Sequence, residues 1–371
     1  MKIPRSKKTA ICRIRAERIS QCKRAFNVPH LGCCNYIPPH RKKFRREDKL
    51  GRNLNKLYTK SRVWFFRLNS SISPVPSSIA VSTKRIKLGT AVLQVPLYHP
   101  VDLARRLTTI DLLSNGRLIL GVGTGWIPKE LENCGVPYKQ RAGRTDESLE
   151  IMRKLWTSED LVTHEGKYYQ IRDVYFEPKP IQKPHIPILY GALPPGAGRG
   201  APDGNFKHDQ WRMPAIRRCA RSEGWIPDIS NKDRRAELLL EGMDLIKRAA
   251  LEEGRVIRDE EYDVSMTYFA SLNIQNSVEL ATKEAKAFYE SRVRREFYQI
   301  MGNPSFESLE GTGCFGPPNK TAELVNELVG LDAKVPFLRR VIIMFASLDP
   351  LEQLHRFHSD VAPILKRRGI S

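Results

Sequence analysis

The sequence predicts an α/β fold in which a parallel β-sheet closes as a (β/α)8 barrel, with the first two βα units absent or replaced. Two observations support this prediction. Short apolar runs that suit buried parallel strands alternate with segments of helical periodicity from residue 86 onwards. Six such strands can be counted before the last helix. Because a barrel of this kind closes with eight strands, the two missing units belong before residue 86.

The clearest strand, helix, strand unit spans residues 84–126. Its first strand is the apolar run 86–93, which has no charge after Lys87. His99-Pro100 begins the helix, because proline is tolerated in a first helical turn, and Asn115-Gly116 ends it. The second strand, 117–122, breaks into the glycine-rich sequence GVGTGW. Ligands of such folds bind where the carboxyl ends of strands meet loops, so this segment is the first candidate site.

The rest of the chain repeats the alternation with one interruption. A helix over about 144–156 is followed by a hairpin-like excursion over 161–180, which turns at Glu165-Gly166. A glycine-rich stretch after residue 191 is interpreted as an active-site loop or an insertion. The remaining predicted strands are 186–190, 224–226, one within 262–272, and 340–345. The remaining predicted helices are 214–222, 231–253, one from 278 into the 290s, 321–329, and one from Pro350 to about residue 365.

The net charge of +21 belongs to the N-terminal part of the chain. Residues 1–85 hold 22 of the 62 Lys and Arg residues but only three of the 41 Asp and Glu residues, so the remainder is nearly balanced. Nucleic acid is therefore not expected to be a partner of the whole protein. We assign residues 1–77 to a basic, atypical segment and 78–371 to the barrel domain. The basic segment is interpreted as a polyanion-binding tail, an Arg-rich targeting peptide, or a frameshifted or wrong start, and we favour the last.

Other features of the composition argue against a membrane protein, a disulfide framework and a zinc site. No uncharged apolar run approaches the roughly 18 residues of a membrane-spanning helix, so a soluble, cytoplasmic protein that does not bind membranes is expected. The seven cysteines are an odd number and show no CxxC spacing. Neither a disulfide framework nor a zinc site is therefore predicted, and no metal ligand is assigned.

From about Ser78 to the C-terminus the chain resembles the luciferase-like monooxygenase family, which includes bacterial luciferase, alkanesulfonate monooxygenases and deazaflavin-dependent dehydrogenases. The residues that carry the resemblance are 85–126 and then, in order, GVPYKQRAGRTDESLEIMRKLW, HEGKYYQI, PKPIQKPHIPI, AIRRCARSEGWIP and FASLDPLEQLHRF. This ordered set spans about three quarters of the chain. The first quarter does not resemble the family, whose members begin with two further βα units.

The resemblance implies a TIM barrel of the bacterial luciferase type, with reduced FMN or a deazaflavin of the 8-hydroxy-5-deazaflavin type bound at the carboxyl ends of the strands. In similar proteins the third strand ends in a bulge, often with a non-proline cis peptide, that supports the isoalloxazine ring. The glycine-rich segment would line the ring or its ribityl chain, and backbone amides after the fifth strand would lie near the phosphate. The corresponding residues are Ala91 and Val92 in the bulge, Gly123, Thr124 and Gly125 in the glycine-rich segment, and Gly191 and Ala192 after the fifth strand.

The implied activity is that of a flavin- or deazaflavin-dependent oxidoreductase or monooxygenase acting on a small organic substrate. A homodimer and a separate flavin reductase are the expected protein partners. The catalytic residues stay unknown, because several substrate- and ring-contacting residues of the family come from its first two strands. Some deazaflavin dehydrogenases carry a carboxylate directly after GVGTG, where this chain has Trp126. Two alternatives stay open: an inactive, truncated barrel, and a polyanion-binding protein that acts through the basic segment.

Several other side chains have both a structural and a ligand-binding interpretation. Trp126 and Trp225 lie at predicted strand ends, which favours pocket walls over core. His99 precedes a proline at a helix start, which favours a structural role. Arg141 and Arg144 are equally suited to a phosphate contact and to bracing a helix.

Overall fold

The computed structural model describes residues 74–195, 210–229, 234–291, 305–310 and 313–367. All of them lie in one compact unit, Glu47–Ser371. The basic segment predicted over 1–77 lies outside the described residues except for its last four, so the domain division stays a prediction. Those four residues begin helix α1, Pro74–Ser82, which crosses the predicted boundary. Most of the predicted glycine-rich loop after residue 191 also lies outside the described ranges.

The described part of the chain contains a mostly parallel sheet with helices between its strands. The strands are β1 (Leu88–Gly89), β2 (Leu93–Gln94), β3 (Leu118–Gly123), β4 (Val162–Glu165), β5 (Gln170–Val174), β6 (Ile188–Gly191), β7 (Gly224–Ile226), β8 (Asp263–Ile274), β9 (Cys314–Gly316) and β10 (Leu338–Phe345). The main sheet has the order β1-β3-β6-β7-β8-β10, with β2 beside β3 and β9 beside β8, and β4 and β5 form a separate antiparallel hairpin. Every pairing in the main sheet is parallel, as predicted.

Some helices begin or end at residues that are typical of helix termini. They are α2 (Pro100–Ser114), α3 (Pro128–Asn133), α4 (Arg141–Thr157), α5 (Met213–Ala220), α6 (Arg235–Glu252), α7 (Val278–Glu290), α8 (Phe306–Glu310), α9 (Pro318–Gly330), α10 (Pro350–Arg356) and α11 (Ala362–Arg367), with a π-helical turn, Phe357–Val361, between the last two. Asn115 ends α2 in the left-handed conformation, at φ 56°. The Asp349 side chain accepts from the Glu352 N–H and caps α10.

Five of the six predicted strands are confirmed, whereas the predicted strand 86–93 is two short strands, β1 and β2, separated by three residues. The structure also adds elements that the sequence did not reveal. Strand β9 lies inside the segment GTGCFGPPNK, for which no element is predicted, because a strand of only three residues gives no readable alternation. Helices α1, α3 and α8 were also missed, and the last two are only six and five residues long. Within the described ranges, β1 and β2 each pair only with β3, and β10 pairs only with β8.

The two faces of the sheet carry different apolar clusters. Ile119, Leu189, Ile226 and Ile342 form one buried cluster, which packs against Ala91 and Val92. Alternate residues of the same strands, including Leu120 and Trp225, belong to the large cluster shared with the helices. The small cluster therefore lies on the face opposite the helices, which is the barrel interior in a (β/α)8 fold.

A buried arginine joins α1 to the start of β3. The Arg117 guanidinium donates to the carbonyl oxygens of Ala80 and Thr83 and to that of Ile86, and it also donates to the Thr83 hydroxyl and the Ser114 carbonyl. The residue is 8% exposed, and burial lowers the pKa of its guanidinium. One side chain therefore fixes the end of α1, the turn before β1 and the end of α2.

A buried aspartate fixes the chain where it returns from the hairpin to the sheet. Asp111 of α2 is fully buried, and its carboxylate accepts from the backbone N–H groups of Ile181 and Gln182 at 2.9 and 3.3 Å. The Gln182 amide donates to the same carboxylate and to the Leu118 carbonyl. These bonds attach the segment before β6 to both α2 and β3.

Of the helices in the described ranges, none combines the length and apolarity needed to cross a bilayer. The same residues contain no cluster of three or more His, Cys, Asp or Glu side chains arranged to bind a metal ion.

Candidate functional site

The first candidate site lies where the edge strand is interrupted. Between Gly89 and Leu93 the edge strand advances four residues, whereas their partners on β3, Ile119 and Val122, are three residues apart. One extra residue is therefore accommodated, which is the definition of a β-bulge. The peptide bond between Ala91 and Val92 is cis, in agreement with the resemblance.

Three predicted site residues meet at this bulge. A Cβ atom built on Gly123 would lie 2.6 Å from Val92 Cγ2, and one built on Gly191 would lie 3.0 Å from Val92 Cγ1. The Val92 side chain therefore fills the space that both glycines leave empty. Ala91, Val92 and Gly191 are each only half-buried. We call this partly exposed place at the carboxyl ends of β2, β3 and β6 the opening.

The glycine-rich segment forms the next side of the opening. Thr124 and Gly125 follow β3 and are half-buried, and Gly125 has φ +81°, a conformation that favours glycine. A Cβ atom on Gly125 would lie 2.7 Å from Gln94 Oε1. The Gln94 amide nitrogen donates to Glu130 Oε2 of α3 at 2.9 Å. Gln94 and Glu130 were not identified from the sequence, since the bond joins residues of two separate elements.

The Ala192 backbone amide, predicted to lie near the cofactor phosphate, is hydrogen-bonded within the sheet. Its N–H donates to the Ile226 carbonyl at 3.3 Å, and its carbonyl accepts from Trp225 Nε1 at 2.9 Å. The residue is buried at 3% exposure. Ala192 therefore connects β6 to β7, and of the two predicted residues only Gly191 borders the opening.

The prediction that Trp225 is a pocket wall is wrong. Its side chain is fully buried among the helices and lies edge-on to Trp211 at 6.0 Å. Because neighbouring residues of a strand face opposite sides, Ile226 faces the interior and Trp225 faces outward. Trp126 is half-buried directly after Gly125, a position compatible with a pocket wall.

The β4–β5 hairpin contacts the start of α2. The exposed His99 ring at the start of α2 lies edge-on to the Tyr169 ring, with a centroid distance of 5.7 Å. Glu147 of α4 fixes this end of the hairpin, since its carboxylate accepts from the N–H groups of Tyr168 and Tyr169. His164 Nε2 lies 3.4 Å from Glu147 Oε1. Nothing in the local sequence indicated the partners of Glu147.

The other candidate side chains have partners nearby. The Arg141 guanidinium stacks over the Tyr138 ring at 3.7 Å, and that of Arg144 lies over the rings of Tyr168 and Tyr169. Tyr98, directly before His99, has its pKa raised chiefly by burial, so its hydroxyl stays protonated at neutral pH.

A separate groove of about 630 Å³ lies between α4, α5 and the hairpin. It is on the helix side of the sheet, and its charges are largely paired within the protein. Arg218 binds Asp146 through two hydrogen bonds of 2.7 Å, and Lys154 lies 2.8 Å from Glu150. The groove therefore differs in place and character from the opening at the strand ends.

Exchanging Glu147 for glutamine should loosen the hairpin tip. The glutamine side chain would keep one acceptor oxygen but lose the negative charge, and hydrogen bonds to charged groups contribute about 1.5–3 kcal/mol. We expect hydrogen exchange of the Tyr168 and Tyr169 amides to accelerate by about 10- to 100-fold, as measured by mass spectrometry. Glu165→Gln is the control, since Glu165 is exposed and lies 3.9 Å from Arg172. Equal exchange in both variants would contradict the role of Glu147.

A family model described as luciferase-like monooxygenase matches residues 48–201. The match begins before Ser78, the predicted start of the resemblance, and so includes part of the basic segment. Among solved structures, the monooxygenase RslO1 from Streptomyces bottropensis aligns with a TM-score of 0.64 and 22% identity, over 88% of this chain and 93% of that protein. At this identity the likeness shows the fold.

Curated relatives match shorter regions. An uncharacterised protein of Mycobacterium tuberculosis is 40% identical over 144 residues, 39% of this chain and 45% of that protein. The F420-dependent glucose-6-phosphate dehydrogenase of Amycolatopsis mediterranei is 39% identical over 119 residues, 31% of this chain and 35% of the dehydrogenase. The FMNH2-dependent dimethylsulfone monooxygenase of Pseudomonas putida is 29% identical over 140 residues, 37% of each chain. The chain thus spans less than half the length of each of these relatives.

These matches confirm the resemblance to luciferase-like monooxygenases and the predicted fold class. The two relatives named by activity use FMNH2 or F420, which supports flavin or deazaflavin oxidoreductase chemistry in general terms. The seven predicted cofactor contacts stay predictions.

Proposed function

We propose that this chain, whose residues 48–201 belong to the luciferase-like monooxygenase family, is an oxidoreductase that binds reduced FMN or a deazaflavin and acts on a small organic substrate. The observation that carries the proposal is the bulge at Ala91 and Val92, set against Gly123 and Gly191 at the carboxyl ends of three strands. A flat ring can lie closely against backbone where few side chains project.

The partly exposed residues at the opening would contact a flat ring system. Ala91, Val92 and Gly191 would support one face of the ring, and Thr124 and Gly125 would border its edge or ribityl chain. The bound cofactor would supply the redox chemistry, which is oxygen activation for reduced flavin and hydride transfer for deazaflavin. The protein would orient the substrate and exclude water, with Val92 as an apolar contact.

The choice between the two cofactors is left open by the relatives, because one named relative uses each. With FMN, a separate flavin reductase would supply the reduced form. With a deazaflavin, Trp126 in place of a carboxylate after GVGTG argues against sugar-phosphate oxidation of the type found in some dehydrogenases. A homodimer and a cytoplasmic location stay predictions.

The truncated-barrel alternative has one specific observation in its favour. In the described ranges neither β1 nor β10 has a partner on its outer side, and unpaired strand edges promote association between chains. A soluble monomer or dimer that binds cofactor would exclude this alternative, whereas aggregation without cofactor binding would favour it.

The test is titration of the full-length chain with FMN, anaerobically reduced FMN and F420, followed by fluorescence. Wild type should bind at least one of them, and Gly191→Val should weaken binding at least tenfold, because the new side chain would enter the opening beside Val92. The matched control is Gly330→Val, where a Cβ atom meets nothing within 4 Å. Circular dichroism checks that both variants fold. Failure of wild type to bind any of the three would overturn the proposal.

A further inference from the structure

The orientation of the Gln94 side-chain amide is fixed by its partner. Its Nε2 atom donates to Glu130 Oε2 at 2.9 Å. A carboxylate only accepts hydrogen bonds, so the NH2 end must face Glu130 and the oxygen must face away from it. The amide assignment therefore follows from chemistry, even though nitrogen and oxygen have similar sizes.

The oxygen of this amide has no partner within the described protein. Gln94 Oε1 is buried and accepts no hydrogen bond from any described residue. Buried polar atoms are nearly always hydrogen-bonded, and an exception of this kind calls for an explanation, such as a ligand or water. The burial of the oxygen therefore carries a desolvation cost that no described contact offsets.

Gln94 lies among the residues of the proposed cofactor site. It pairs with Gly123 across the β2–β3 register and follows Val92 by two residues. A Cβ atom on Gly125 would lie only 2.7 Å from Oε1, so the oxygen packs directly against the backbone of the glycine-rich segment predicted to contact the cofactor. On the other side, that same position would lie 3.2 Å from a Leu131 methyl group, which closes the space toward α3.

We infer that Gln94 Oε1 accepts a hydrogen bond from the bound cofactor and that Glu130 is a positioning residue that presents the oxygen. The inference rests on the proposed function, and it specifies the ligand chemistry as an N–H or O–H donor. Flavin and deazaflavin share such donors, in the ring imide N–H and the ribityl hydroxyls. The role is therefore the same for either cofactor.

A purely structural role for Gln94 predicts a different behaviour. If the side chain served only to attach α3 to β2, its removal would lower stability and leave cofactor affinity unchanged. If its oxygen awaits a ligand donor, replacing the amide by an apolar group removes an unsatisfied acceptor from the apo protein. Stability of the apo protein should then hold or rise while affinity falls, a combination seen at functional sites.

Gln94→Met is the variant that separates these roles, since methionine has a similar length and no hydrogen-bonding amide. In the full-length chain, we expect the affinity for whichever of FMN, reduced FMN or F420 binds to fall by about 5- to 30-fold, the effect of one lost hydrogen bond. The melting temperature of the cofactor-free protein should stay the same or rise. A lower melting temperature with unchanged affinity would overturn the inference.

The positioning role of Glu130 is tested by a double-mutant cycle. Glu130→Gln replaces the carboxylate by an amide that can donate or accept, so Gln94 is no longer held in one orientation, and affinity should fall. In the Gln94→Met background the same exchange should have no further effect on affinity, because Glu130 acts only through Gln94. Additive losses would contradict that role. If wild type binds a cofactor and Gln94→Met binds it equally, this inference fails and the proposed function stands; if wild type binds none, the proposed function fails first.

Discussion

Replacing Gly121 by alanine is expected to destabilise the protein strongly, although the change adds only one methyl group. A Cβ atom on Gly121 would lie 1.9 Å from the Thr90 carbonyl oxygen and 2.5 Å from Ile226 Cδ1. The oxygen belongs to the backbone of the bulge and cannot rotate away, so β1 would have to separate from β3. Overpacking commonly costs about 1–3 kcal/mol and occasionally more, and we expect at least about 3 kcal/mol in the free energy of unfolding.

Urea denaturation followed by circular dichroism measures this effect. Gly330→Ala is the matched control: Gly330 is exposed in the last turn of α9 and has open space around it. Alanine favours helix over glycine, so the control should be neutral or more stable by up to about 1 kcal/mol. If both variants unfolded at the wild-type urea concentration, the close contact between the bulge and β3 would be wrong.

Arg117→Met should produce the second large loss of stability. Methionine keeps much of the aliphatic stem but removes every hydrogen bond that the guanidinium donates to the end of α1, the turn before β1 and the end of α2. Each buried acceptor left without a partner costs about 1–3 kcal/mol, and some of the carbonyls will recover water. We therefore expect a decrease of about 3–5 kcal/mol in the free energy of unfolding.

The same denaturation experiment distinguishes the effect of the positive charge at position 117 from the effect of the planar geometry of the guanidinium. Arg117→Lys should recover only part of the loss, because an ammonium group cannot reach acceptors spread around a planar guanidinium. Arg172→Met is the surface control, since the Arg172 side chain is 80% exposed and only 3.9 Å from Glu165, and it should change stability by less than about 0.5 kcal/mol. A loss for Arg117→Met as small as that of the control would show that the guanidinium does not hold α1 to β3.

The fold was predictable where strands and helices are long enough to show a period. The apolar run 117–122 predicted a strand whose bounds lie within a few residues of β3. The helical periodicity after His99-Pro100 predicted a helix whose bounds lie within a few residues of α2. Strand β9 has only three residues, and α3 only six, so neither produces a recognisable pattern. The predicted single strand 86–93 is two short strands around a bulge, a feature decided by pairing with β3 rather than by local sequence.

The site was predictable to the extent that it consists of backbone. The resemblance implied Ala91, Val92, Gly123 and Gly191, and the structure places Val92 against both glycines, while their contacts with a cofactor stay predictions. Side-chain partnerships were not predictable in the same way: Gln94 and Glu130 are 36 residues apart, and Glu147 meets Tyr168 and Tyr169 only once the hairpin folds back on α4. The prediction that Trp225 is a pocket wall failed because successive residues of a strand face opposite sides of the sheet, and Trp225 faces the helices rather than the interior.

The Asp111 carboxylate determines which part of the β4–β5 excursion can be altered without moving β6. It holds the backbone at Ile181 and Gln182, directly before the strand β6, to a helix that precedes the β4–β5 hairpin. Both ends of the excursion are thus anchored: the first by α4, the second by Asp111. The excursion between Thr157 and Ile181 therefore returns to the sheet at a fixed point, and its exposed residues can be exchanged without moving Gly191 as long as its core residues, Val162, Tyr169, Ile171 and Phe176, are kept.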